Sequence, residues 1–129
     1  MSVGQQSLAR HNRSYISRYG EEIRVYNYGM SEPDAYGDTE RLDPAAVPVT
    51  DALVMPDSAN ARRLEQGSDL SYAVEFRLAD DTGIDLVGYG AVKYPTEFER
   101  PRTSSRTRVQ RVSRITPGML SVLAVGIDG

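Results

Sequence analysis

Residues 70–78 have the sequence LSYAVEFRL, in which large apolar side chains alternate with small or charged ones. Leu70, Tyr72, Val74, Phe76 and Leu78 fall on one side, and the residues between them fall on the other. This period of two predicts a β-strand with one face in a core. The turn signal DDTG at residues 80–83 follows it directly.

Similar patterns recur on both sides of this strand. Turn-forming residues separate the segments from one another. The sequence therefore predicts a mainly β domain, either a small antiparallel β-barrel or a sandwich of five or six strands. The further predicted strands cover residues 23–28, 52–55, 84–94, 106–115 and 119–127.

Two helices complete the prediction. Residues 4–19 form the first, which ends at Gly20. Its apolar stripe could pack on the chain's own core or dock on another subunit. A short internal helix is predicted over residues 59–66, with Ser58 as its cap and Gly67 as its stop. The predicted stripe of the first helix comprises Leu8, Asn12, Tyr15, Ile16 and Tyr19.

The chain is divided into a helical segment, residues 1–20, and a β-barrel domain, residues 21–129, with two long loops. The loop at 30–50 is rich in proline and glycine, which argues against a long helix or a central strand. Its tip is the turn DAYGD, residues 34–38, which carries Tyr36. The second loop covers 95–105, PTEFERPRTSS.

Composition limits the classes of function. A chain of 129 residues suits one domain, and the absence of cysteine excludes disulfides and thiol chemistry. We expect neither a signal peptide nor a membrane span, because the longest uncharged apolar run covers only residues 115–127.

Charge is segregated along the chain. The net charge is +2 over residues 1–30, −9 over 31–98 and +4 over 99–129, which gives −3 in all. Such segregation suits a head-to-tail assembly, although charges that merely cover a small surface would also account for it.

The sequence offers little for catalysis or metal binding. His11 is the only histidine and lies in the predicted helix, so no catalytic triad and no transition-metal site is expected. Oxygen ligands for calcium are available in the 30–50 loop, but their spacing does not match a calcium-binding loop. We predict no enzyme activity, no cofactor and no metal. The acidic residues concerned are Asp34, Asp38, Glu40 and Asp43.

An arginine cluster is the one concentrated charge feature near the C-terminus. Three uses remain open, namely pairing with the acidic segment of a neighbouring subunit, a solvated strand face, and phosphate binding. Nucleic-acid binding is disfavoured because the chain is acidic and few aromatic residues interleave with the arginines. The cluster comprises Arg100, Arg102, Arg106, Arg108, Arg111 and Arg114.

The order of these parts resembles the head-closure (stopper) or head-tail connector proteins of tailed viruses, over roughly residues 20–127. The resemblance is carried by the strand that ends at Tyr28, the DAYGD loop, the strand ALVMP, the helix that ends at Gly67, the segment SYAVEFRLADDTGIDL, and the pair RVQRVSRI and SVLAVGID. The PTEFERPRTSS loop and the helical N-terminus depart from the usual outline.

The resemblance implies a small β-barrel whose copies form a ring, commonly dodecameric, in the neck of the virion. That ring would lie between the portal–adaptor complex and the tail, would help retain packaged double-stranded DNA, and would be made in the host cytoplasm. One loop would reach the channel or a partner, and the candidates are Asp34, Tyr36, Asp38, Glu40 and Asp43. The arginine cluster would lie at a contact between subunits or rings.

Two alternatives stay open. A tail-completion or tail-tube protein can also be a small β-domain with long loops. A stand-alone carbohydrate- or ligand-binding β-module would instead use exposed aromatic residues, with Tyr26, Tyr28, Tyr36 and Tyr89 as candidates.

Overall fold

A computed structural model describes residues 3–56 and 73–127, which form one helix and eight strands. These are α1 (Val3–Tyr19), β1 (Glu21–Tyr26), β2 (Gly29–Met30), β3 (Arg41–Leu42), β4 (Val49–Pro56), β5 (Ala73–Ala79), β6 (Glu97–Arg100), β7 (Ser105–Thr116) and β8 (Met119–Gly126). The predicted internal helix, with Ser58 and Gly67, lies outside the described residues.

Six strands form a closed antiparallel barrel in the order β1-β4-β5-β8-β7-β6, and β6 pairs back onto β1. The prediction of a small antiparallel β-barrel is thus confirmed. Strands β2 and β3 form a separate two-stranded sheet. Each of the six described barrel strands has a hydrogen-bonded neighbour on both sides, although β7 pairs with β6 only over Ser105–Arg108 and with β8 alone over Arg111–Thr116.

The barrel interior is filled by alternate side chains of its strands. Phe76 and Phe98 are fully buried, and their rings meet edge to face with centroids 4.9 Å apart. The inward positions predicted for Val74, Phe76 and Leu78 of β5 are confirmed, whereas residues 70–72 lie outside the described residues. The buried core comprises Ile23, Val25, Ala52, Val74, Phe76, Leu78, Phe98, Val109, Val122 and Ala124.

The helix α1 is confirmed, but its predicted apolar stripe is wrong in part. Ala9 and Ile16 are the buried residues, whereas Leu8, Tyr15 and Tyr19 are 42%, 46% and 61% exposed. The reason is a close approach that only small residues allow, because Gly118 lies directly under the backbone of Ala9. A side chain as large as leucine would hold the helix off the barrel at that point.

Two predicted boundaries are corrected. The predicted loop 95–105 contains β6, whose Phe98 completes the core and whose four residues close the barrel. The predicted strand 84–94 is not one, although an isolated bridge joins Tyr89 to Val92. Ile84 and Leu86 still pack against the core, which explains their alternation without a strand ladder.

The 30–50 loop has more internal structure than its composition suggests. Its first residue belongs to β2, residues 41–42 form β3, and residues 49–50 begin β4. The truly irregular parts are therefore residues 31–40 and 43–48. Residues 31–40, which carry the DAYGD tip, connect the two strands of the small sheet.

Candidate functional site

Residues 31–40, called the Tyr36 loop below, form a closed and ordered protrusion. The Ser31 amide donates to the Glu40 carbonyl at 2.9 Å, and the Glu40 amide donates to the Ser31 hydroxyl at 2.8 Å. These two bonds extend the β2–β3 pairing and hold the ends of the loop together.

The predicted turn at the tip is confirmed, and Asp34 holds it. One carboxylate oxygen of Asp34 accepts the amides of Tyr36 at 2.8 Å and Asp38 at 2.9 Å. The backbone of Asp34 also pairs with Asp38 and Gly37, and Gly37 has a φ of 82° that suits glycine. Tyr36 is 91% exposed on this ordered turn. Asp34 therefore positions Tyr36, and Tyr36 is the group that the loop presents.

The second leg of the loop is fixed to the barrel through β3 and Thr39. The Arg41 guanidinium carbon lies 4.2 Å from the centroid of the Tyr28 ring, and Arg41 approaches Glu97 at 3.6 Å. The Lys93 ammonium donates to the Thr39 hydroxyl at 3.0 Å. Contacts with Tyr28, Glu97 and Lys93 thus fix the base of the loop that carries Tyr36.

Arg106 organises the surface on which the loop rests. Its guanidinium carbon lies 3.6 Å from the centroid of the Tyr26 ring. Its nitrogens donate to Glu97 at 3.0 Å and to the Tyr28 hydroxyl at 2.6 Å, while the Tyr28 hydroxyl donates to Glu97 at 2.8 Å. The Tyr26 hydroxyl donates to Glu99 at 3.2 Å. We call this group the anchor cluster, and its members are Tyr26, Tyr28, Arg41, Glu97, Glu99 and Arg106.

The electrostatics of the anchor cluster indicate a structural role. Glu97 is only 9% exposed, and a charge so buried requires the counter-charge that Arg106 supplies. Burial and the hydrogen bond to Glu97 raise the pKa of the Tyr28 phenol above its ordinary value. Tyr28 therefore stays neutral and donates its proton to Glu97 throughout the physiological pH range.

The predicted acidic residues share one region but form no ion-binding site. Asp34, Asp38, Glu40 and Asp43 are all exposed. Within residues 3–56 and 73–127, no group of three or more histidine or acidic side chains could hold a metal ion. Three of the acids, Asp34, Asp38 and Glu40, lie within four residues of Tyr36 in the sequence and make the loop negatively charged.

The six arginines have different partners within the chain. Arg100 forms a two-pronged pair with Glu21, at 2.8 and 3.1 Å, and Arg106 belongs to the anchor cluster. Arg108 lies over the ring of Tyr89 at 5.3 Å, and Arg114 is 3.9 Å from Asp80. The two that remain, Arg102 and Arg111, are exposed and form no ion pair with any described residue.

Sequence reasoning missed the anchor cluster. It assigned Tyr26 and Tyr28 as free aromatic residues for a ligand, but Arg106 and Arg41 cover their rings. Tyr36 and Tyr89 remain more than half exposed. Tyr26 and Tyr28 were the only local sign of the anchor cluster in the sequence. The arginines that cover their rings come from distant strands and could not be paired with them from the sequence.

A second polar contact joins the helix to the barrel. Arg13 of α1 donates to Asp80 at 2.7 Å, and Asp80 has a side chain only 8% exposed. This hydrogen bond and the positive charge of Arg13 lower the pKa of Asp80 below its ordinary value. Asn12 adds a bond of 2.8 Å to the Pro117 carbonyl. These contacts hold α1 at the end of β1 where Glu21 lies.

Among the described residues, no helix combines the length and the apolar character that crossing a bilayer requires. Comparison of the chain with protein-family models, curated proteins and solved structures gives no match.

Proposed function

We propose that the chain is a structural ring subunit in the neck of a tailed virus, a head-closure (stopper) or head-tail connector protein. Copies of it would join the portal–adaptor complex to the tail and help retain packaged DNA. The observation that carries the proposal is Tyr36, which is almost fully exposed on a loop that the barrel itself holds in place. An exposed aromatic residue on an ordered loop is typical of a contact with another protein.

The closed barrel supports an assembly made through loops and outer faces. Since every described barrel strand already has two neighbours, most of the wall is occupied by pairing within the chain, and this favours contacts through loops and outer faces. The acidic Tyr36 loop, and Arg102 and Arg111, which form no ion pair with any described residue, supply charges of opposite sign for contacts between copies. No catalytic role is proposed for any residue.

The carbohydrate-binding alternative is weakened by the anchor cluster. Tyr26 and Tyr28 have one ring face covered by arginine, and both hydroxyls bond to glutamates. Of the four candidate tyrosines, Tyr36 and Tyr89 remain open for stacking on a sugar. The ring-subunit proposal requires an exposed side chain only at Tyr36, which is 91% exposed.

The proposal is tested by removing the chain from the virus that encodes it. Without the chain, heads should package DNA but should fail to join tails and should lose their DNA. Supplying the wild-type chain in trans should restore tailed particles. Normal numbers of infectious, tailed particles in its absence would refute a role in the neck.

A further inference from the structure

A groove runs between α1 and the outer wall of the barrel. Its volume is about 550 Å³, within the usual range for binding pockets. The rings of Tyr15 and Tyr19 lie side by side along it, with centroids 4.8 Å apart, and both are substantially exposed. We call it the helix groove, and its principal lining residues are Tyr15, Tyr19, Leu53, Met55, Met119 and Arg102.

The helix groove combines apolar walls with a positive rim. Arg102, in the turn between β6 and β7, is exposed and makes no ion pair with any described residue. Among the described residues, Glu21 is the one acid that lines the groove, and it is already paired with Arg100. The groove is therefore suited to an aromatic side chain that is flanked by carboxylates.

The Tyr36 loop has this chemistry. It carries Glu32, Asp34, Asp38 and Glu40 and no basic residue. Its one aromatic side chain, Tyr36, is 91% exposed, so little packing within its own chain would have to break before docking. Its turn is already ordered, so docking would require little loss of conformational entropy.

The two features lie toward opposite ends of the same barrel. Strand β1 begins at Glu21, which lines the helix groove, and ends at Tyr26, which belongs to the anchor cluster. At about 3.3 Å per residue, these ends are roughly 17 Å apart. Strand β6 shows the same polarity, because Glu97 lies in the anchor cluster and Arg100 pairs with Glu21. A loop at one end cannot fill the groove of its own chain at the other.

We propose that the Tyr36 loop of one copy docks into the helix groove of the next copy, with the Tyr36 ring packed against Tyr15 and Tyr19 and with its flanking carboxylates near Arg102. This inference rests on the proposed ring function and specifies the contact that builds the ring. A protrusion at one end and a complementary groove at the other form a head-to-tail interface, which gives a ring when the rotation closes and a filament when it does not.

Cysteine cross-linking tests this contact, because the natural chain has no cysteine. Ala35→Cys labels the loop beside Tyr36, and His11→Cys labels the groove, so that the proposed contact residues are retained. The two full-length variants are mixed under mild oxidation. The matched control mixes Ala35→Cys with Ala91→Cys, an exposed site away from the groove.

We expect the Ala35→Cys and His11→Cys mixture to form covalent heterodimer about tenfold faster than the control mixture, because docking raises the effective concentration of the two thiols. Adding Tyr36→Ala to the Ala35→Cys chain should abolish that advantage. Equal rates in both mixtures, or a rate insensitive to Tyr36→Ala, would overturn the proposal.

Native mass spectrometry of the same samples separates this inference from the ring function. Closed rings without the specific cross-link would reject the loop-to-groove contact and leave the ring subunit standing. The specific cross-link in open chains of increasing length would support the contact and argue against a closed ring.

Discussion

Arg106 of β7 stacks on Tyr26 of β1, with its guanidinium carbon 3.6 Å from the ring centroid, although these two strands are not neighbours in the barrel. The four-residue strand β6 lies between them. The Arg106 side chain therefore crosses the outer face of β6, the shortest strand of the barrel, to reach Tyr26. Its hydrogen bond to Glu97 also ties it to β6 itself.

Replacing Arg106 tests how much this contact stabilises the closed barrel. Arg106→Ala removes the stacking on Tyr26 and leaves the buried carboxylate of Glu97 without its main counter-charge. We expect the free energy of unfolding to fall by about 2 to 3 kcal/mol. Urea denaturation measures it. Arg111→Ala, an exposed arginine on the same strand, should change it by less than about 0.5 kcal/mol. Equal effects of the two substitutions would contradict a special role for Arg106.

Tyr28 should make stability depend on alkaline pH. Its pKa is raised in the folded chain by burial and by the bond to Glu97. A group whose folded pKa is raised contributes stability that is complete below its unfolded value, about 10, and that is lost as pH rises through the folded value. The stability difference between wild type and Tyr28→Phe should thus shrink above about pH 10. If the stability difference between wild type and Tyr28→Phe stays constant at higher pH, the fold does not raise the pKa of Tyr28.

Asp80 should have the opposite dependence. Its pKa is lowered by the hydrogen bond from Arg13, so its contribution is present above its ordinary value and lost as pH falls through the lowered folded value. Asp80→Asn should reduce the melting temperature by a few degrees at neutral pH. The deficit should disappear in strong acid, well below about pH 4. A deficit of unchanged size in acid would mean that the Arg13–Asp80 charge pair does not hold α1.

Gly118 permits the docking of α1. A Cβ at this position would collide with the carbonyl oxygen of Ala9, and the φ of 85° is itself unfavourable to other residues. Gly90→Ala is the matched control, because Gly90 has a φ of 92° and nothing within 4 Å of the methyl group that alanine would add.

We expect Gly90→Ala to lower the free energy of unfolding by about 1 to 2 kcal/mol through backbone strain alone. Gly118→Ala should cost clearly more in urea denaturation and should increase hydrogen exchange in α1. Equal costs, with α1 equally protected in both variants, would show that the close approach at Ala9 does not matter.

The strands that form the core could be predicted from the sequence because the signal is local. The alternation around Val74, Phe76 and Leu78 directly reports which face of β5 is buried. The DAYGD turn was predictable for the same reason, since an aspartate and a glycine three residues later close it within the segment itself.

Strand β6 and the anchor cluster could not be predicted because their stability comes from distant parts of the chain. Glu97 can be buried only when Arg106 arrives from β7 and Tyr28 from beyond β1. Its local context, PTEFERP, resembles an exposed loop. Of the two buried residues of α1, Ile16 was predicted from the stripe, whereas Ala9 was missed because its burial depends on the close approach of Gly118.

Native mass spectrometry of the assembled, full-length protein tests the proposed ring most directly, when wild type is compared with Tyr36→Ala and with the exposed control Tyr89→Ala. We predict that wild type and Tyr89→Ala form one closed oligomer of defined copy number, whereas Tyr36→Ala remains folded and monomeric. A wild-type chain that stays monomeric at every concentration, or a Tyr36→Ala ring as stable as the wild-type ring, would contradict the proposed role of Tyr36 in building the ring.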